Sequence, residues 1–162
     1  MCTDTIEKQI LLRAPIDRVW RAISNSSEFG SWFGFKVEGP FVAGERVRVT
    51  CFPTTVHEGV AASQKPYEGT PYELIVEKIE PESAFSFRWH PFAFDTSVDY
   101  SAEPTTLVTF VLEQKENGVL LTDTESGFDQ IPLERRATAF GANEYCWIIG
   151  VMLVEAYLAK SP

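Results

Sequence analysis

Two carboxylates and a histidine stand out in this 162-residue chain as side chains whose type and setting can do chemistry. Glu125 continues the face of Leu121 and Asp123 at the end of an alternating segment. Desolvation there raises a carboxyl pKa, so the group can act as a general base or anchor a polar ligand group. The same residue also reads as a solvated strand end, or as the partner of Arg135 or Arg136 in an ion pair. Glu144 falls one turn from Phe140 and Trp147 on a helical stripe. An unpaired carboxylate on such a face is costly, so Glu144 marks either the wall of a pocket or its wet rim. His90 closes an aromatic run just before Pro91, and with Asp95 or Asp99 it would form an acid–base pair. The other histidine, His57, lies in a segment dominated by Pro, Gly, Ser and Thr.

Other chemistries lack their residues. Neither histidine has a second His, Cys or acidic residue beside it at ligand spacing, so no metal is expected. Cys2, Cys51 and Cys146 are odd in number and scattered, which fits neither a disulfide framework nor a metal cluster, and a reduced setting with Cys51 and Cys146 as buried thiols is expected. There is no Gly-x-Ser-x-Gly elbow and no glycine-rich phosphate loop, so no cofactor is expected. The formal net charge of −9 argues against nucleic acid and anionic lipid as partners. No run approaches the ~20 consecutive apolar residues of a membrane span. The start, Met1 to Thr5, lacks the basic and apolar regions of a signal peptide, and a cytoplasmic location is expected.

The elements that must position these side chains follow from periodicity. Ile6 to Ala14 alternates as a half-buried strand at an edge or end of the sheet. Pro15 opens a helix whose stripe is Val19, Trp20, Ala22 and Ile23, and Glu28 to Phe33 makes a second short helix. Glu45–Phe52, Tyr72–Ile79, Ala84–His90, Thr105–Glu113 and Val119–Glu125 read as strands, the last two joined at the Asn117-Gly118 turn signal. The stretches 53–71 and 91–104 read as irregular. After Pro132 the period turns helical through Leu158, with a stripe of Ala137, Phe140, Glu144, Trp147, Val151, Val154 and Leu158, and Pro162 lies beyond its end. No repeat or change of composition divides the chain, so one α+β domain is expected: a curved antiparallel sheet of six to seven strands around a long C-terminal helix.

Several stretches, in order, resemble the START-like (SRPBCC) superfamily, in the branch related to activators of the heat-shock-protein-90 ATPase. They are Ala14-Pro15-Ile16-Asp17-Arg18-Val19-Trp20, Ser31-Trp32-Phe33, and Glu80-Pro81-Glu82 leading into Phe85-Ser86-Phe87-Arg88-Trp89. Glu125-Ser126-Gly127-Phe128, Arg135-Arg136, and Trp147 through Tyr157-Leu158 complete the set. The resemblance implies a helix-grip fold with a cavity between sheet and helix. The final helix departs from the family pattern, with Cys146-Trp147 where Gly-Trp is frequent and then Ile148, Ile149, Gly150, Val151 and Met152. That apolar run makes Ile148 and Ile149 candidates for a homodimer contact.

The reading that follows is a binding module for a small hydrophobic or aromatic molecule, held between sheet and helix and gated by 53–71 and 91–104. Its expected contact residues are Trp32, Phe33, Phe87, Trp89, Glu125, Phe140, Glu144, Trp147 and Val151. Core packing is the competing explanation for the aromatic members. Two other functions stay open: a small enzyme of cyclase, hydrolase or isomerase type using a pocket carboxylate or His90, and a chaperone-related interaction protein.

Overall fold

The computed structural model describes residues 4–93, 95 and 97–160; Cys2 and Pro162 lie outside them. Strands form where the alternation predicts them: β1 (Thr5–Leu12), β3 (Arg46–Cys51), β4 (Pro71–Glu80), β5 (Ala84–Trp89), β6 (Thr106–Lys115) and β7 (Gly118–Ser126). A seventh, β2 (Phe35–Val37), is three residues long, too short for a period to show in the sequence. The order across the sheet is β1-β7-β6-β5-β4-β3-β2, and every neighbouring pair is antiparallel. β1 is an edge, as its pattern predicts, and Glu7, Lys8 and Gln9 along it discourage pairing with another chain.

The two short helices follow β1 as α1 (Ile16–Ser24) and α2 (Ser26–Phe33). Asn25 caps α2 by accepting from the Glu28 amide at 3.0 Å. Gly34 ends it in the left-handed region at φ +113°, a conformation that glycine enters without a Cβ penalty. The stretch 53–71 is not the open loop its composition suggests. It contains α3 (Glu58–Gln64) and a 3-10 turn at Lys65–Tyr67. His57 is the N-cap of α3, its Nδ1 accepting from the Val60 amide at 3.0 Å. Seven residues are too few for a helical period to stand out, which is why this helix is hidden in the sequence. The stretch 91–104 has no helix or strand among its described residues.

α4 (Leu133–Lys160) lies across the concave face of the sheet and buries Ala139, Asn143, Trp147, Gly150, Leu153, Val154 and Leu158. By length and composition it would qualify for a membrane span, yet this stripe is committed to the sheet. Between α4 and the sheet, rings fill most of the space: Phe29 sits among Trp32, Phe33, Phe35, Phe41, Phe87 and Phe110. The β6–β7 hairpin closes against the end of β1. At Gly118 a Cβ would collide with the Leu12 carbonyl, so the close approach of these strands requires glycine there.

Candidate functional site

A cavity of about 360 Å³ lies between the sheet, α3 and α4. The sheet contributes Phe35, Cys51, Tyr72 and Trp89, with Phe33 and Gly34 from the end of α2. α3 contributes Val60, Ser63 and Gln64, and α4 contributes Ala142, Asn143, Cys146, Ile149, Gly150 and Leu153. Tyr67 and Tyr145, both exposed, flank its mouth. Gln64 clasps α3 to the frame, its Oε1 accepting from the Thr54 amide at 2.8 Å and its Nε2 donating to the Phe33 carbonyl at 3.0 Å.

Behind this wall Glu125 is fully buried and surrounded by donors. Strand register sets Trp89 opposite Thr106 and Glu125 opposite Val108, which gathers Trp89, Thr106 and Glu125 at one end of the sheet. Asn143 and Trp147, four residues apart, present the same face of α4 to that end. The indole of Trp147 donates to Oε1 at 2.8 Å and that of Trp89 to Oε2 at 2.8 Å. The Asn143 amide donates to both oxygens at 3.0 and 2.9 Å, and the Thr106 hydroxyl to Oε2. Burial pushes the Glu125 pKa up, and the hydrogen bonds from these donors pull against that rise. The two indoles stack with centroids 5.9 Å apart because both turn their N–H toward one carboxyl group.

Asp123, two residues back on the same face of β7, is equally buried and has no hydrogen-bond partner among the described residues. Desolvation raises its pKa well above the usual carboxylate range, and the charge of Glu125 adds to the rise. Lys8 stands opposite it in register but gives its amine to Glu144 at 3.5 Å.

The expected contact residues divide into distinct places. Phe33 and Trp89 line the cavity, and Glu125 and Trp147 form the cluster behind it. Trp32 and Phe87 are core, the Trp32 indole donating to the Ala22 carbonyl at 2.9 Å. Phe140 packs on Phe128 (centroids 5.1 Å), away from the cavity. Val151 is half-buried outside the lining, and Glu144 sits on the flank of α4 with its side chain 45% exposed. The N-terminal half of the helical stripe is thus one residue out of phase: Asn143, not Glu144, faces inward, because Phe140, which packs on Phe128 off that face, draws the apolar pattern one position along the helix.

The proposed partners of Glu125 and His90 are also placed differently. Arg135 pairs with Glu103 at 2.8 Å and donates to the carbonyls of Pro91 and Phe92, while Arg136 donates to those of Asp129 and Ile131. Neither arginine reaches Glu125. Arg135 instead pins the 91–104 stretch to the start of α4. Asp95 and Asp99 accept from Ser97 and Ser101 in local turns rather than from His90. His90 lies in a separate groove with Glu38, Arg48, Glu73 and Tyr100, and burial lowers its pKa. Burial pushes the Cys51 thiol up to about 11 and raises Cys146 as well, so both cavity thiols stay protonated and weakly nucleophilic at neutral pH. Among the described residues no group of His, Cys, Asp or Glu is disposed to hold a metal ion.

An antiparallel sheet gripping one long helix over an internal cavity defines the helix-grip class. Within it, the chain belongs to the Activator of Hsp90 ATPase homolog 1-like protein family, whose model matches residues 13–150, and so to the START-like superfamily. No curated protein matches it. Protein MLL2253 from Mesorhizobium loti is similar in structure, with TM-score 0.70, 19% identity and 98% of each chain covered. The Aha1 dimer from Colwellia psychrerythraea has TM-score 0.64 and 15% identity, covering 93% of this chain and 92% of that one. DynU16, from the dynemicin biosynthetic locus, has TM-score 0.66 and 20% identity over 96% of this chain. The chain spans 47% of the length of DynU16. At these identities the likeness is one of fold.

Proposed function

We propose that this protein binds a small, largely apolar or aromatic molecule in the cavity between sheet, α3 and α4. The observation that carries this reading is the cavity itself: about 360 Å³, walled mainly by apolar and aromatic side chains, inside a core that is otherwise densely packed with rings. The origin of DynU16 in a biosynthetic locus agrees with a small-molecule ligand. Binding suits the site better than catalysis, because the oxygens of Glu125 are occupied by donors from Trp89, Thr106, Asn143 and Trp147. A base so engaged has no free lone pair to offer a substrate.

Native mass spectrometry of gently purified protein is expected to retain a small molecule, and Trp89 fluorescence is expected to respond to apolar aromatic probes. Ala142→Trp, which places a ring in the cavity from α4, is expected to abolish both while leaving the far-UV circular dichroism unchanged. No retained molecule and no probe response in the wild type would end this reading.

A second reading concerns self-association. Tyr145, Ile148 and Met152 are exposed along one side of α4, at 65%, 51% and 40%. This stripe, together with the dimeric state of the Colwellia neighbour, supports a homodimer formed through α4. Light scattering is expected to give twice the chain mass for the wild type and a single mass for Ile148→Glu. A wild-type monomer at all concentrations would dismiss it.

A further inference from the structure

Asn143 reaches Glu125 through its Nδ2, at 3.0 and 2.9 Å from the two carboxylate oxygens. A carboxylate accepts, so the nitrogen end of the amide must face it, and the identity of the two ends of the Asn143 side chain is settled. The carbonyl Oδ1 therefore points away from Glu125. Asn143 lines the cavity, and its side-chain hydrogen bonds among the described residues are the two that Nδ2 donates to Glu125, with none to Oδ1. Two polar side chains on the wall are already engaged. Gln64 spends both ends of its amide on Thr54 and Phe33, and the Ser63 hydroxyl donates to the Val60 carbonyl at 2.7 Å. The wall is thus mainly apolar, with Asn143 Oδ1 a fixed acceptor in it.

We propose that the cavity selects apolar or aromatic molecules carrying a hydrogen-bond donor, a hydroxyl or an N–H, which docks on Asn143 Oδ1. The inference rests on the reading of the cavity as a ligand site and adds the polar half of the ligand. Glu125 keeps the amide from turning over, since a flipped Asn143 would set Oδ1 against the carboxylate oxygens. A ligand with only acceptor groups meets Oδ1 as a repulsive neighbour. A ligand with neither donor nor acceptor buries Oδ1 without a partner, which carries its own cost.

The test compares 2-naphthol with 2-methoxynaphthalene, which match in ring system and differ in the donor, by calorimetric titration of the full chain. 2-Naphthol is expected to bind about tenfold more tightly, the value of one hydrogen bond in an apolar site. In Asn143→Leu the two probes are expected to bind alike. Should that variant fail to fold, the side-chain amide resonances of Asn143 in the wild type serve instead, shifting with 2-naphthol and not with its methyl ether. Equal affinities in the wild type, or an amide signal indifferent to both probes, would overturn the donor inference while leaving the cavity reading standing. If neither probe binds, both fall.

Discussion

Glu125→Ala is expected to destabilise the protein by about 3–5 kcal/mol, because it strands two indoles, an amide and a hydroxyl that now converge on one carboxyl group. Each buried donor left without an acceptor costs about 1–3 kcal/mol, and the lost side chain adds a cavity. In a domain of this size that corresponds to a fall in melting temperature of about 10 °C or more. The near-isosteric Glu125→Gln is the sharper test. Its amide nitrogen would have to face Trp89 and Thr106 or else Trp147, and two N–H groups cannot satisfy each other. Thermal and urea unfolding, with near-ultraviolet circular dichroism reporting the stacked indoles, should show Glu125→Gln losing at least half of what the alanine variant loses. A glutamine variant as stable as the wild type would mean that the four donors do not depend on a carboxylate.

That anchor also shows where the sequence is legible and where it is not. Alternation in β5, β6 and β7 predicts that Trp89 and Glu125 point inward, and both do. Trp147 falls on the helical stripe and is buried. Sequence cannot show that these three meet, because the meeting depends on the register of β5 with β6 and β6 with β7, set by hairpins and long-range packing. Asn143 is missed for a different reason. It sits four residues before Trp147, so it shares that residue's face, but the apolar Phe140, which packs on Phe128, draws the stripe one position along to Phe140 and Glu144. The useful signal is phase: extending the face of Trp147, Val154 and Leu158 backwards by the helical period leads to Asn143 and Ala139. The ambiguity between cavity wall and core among the aromatics has no solution in sequence. Phe87 and Trp89 lie on one face of one strand, and only the end of the sheet at which each sits decides that Trp89 meets the cavity while Phe87 packs on Phe29 and Phe110.

Asp123 leads to an expected result of the opposite sign from Glu125, since it is buried without a partner rather than amid several. Its folded-state pKa is raised, so over the span above the unfolded value of about 3.9 the folded protein keeps a proton that the unfolded chain has released. Stability then falls as pH rises, by about 1.4 kcal/mol for each pH unit, until the folded-state group also ionises and the loss levels off. Asp123→Asn carries no such proton. It is expected to match the wild type most closely in mild acid, to exceed it increasingly as pH rises, and to hold a constant advantage beyond the levelling point. Glu125 is present in both proteins, so its own rise largely cancels in the difference. Lys8 works against the effect, because an ionised Asp123 can draw that amine across the β1–β7 pair and away from Glu144. Lys8→Met should therefore enlarge the gap between Asp123→Asn and its parent at high pH. Urea unfolding of the four proteins from pH 5 to pH 9 checks this directly. A stability difference between Asp123→Asn and wild type that does not vary with pH would show that Asp123 titrates as an ordinary carboxyl group.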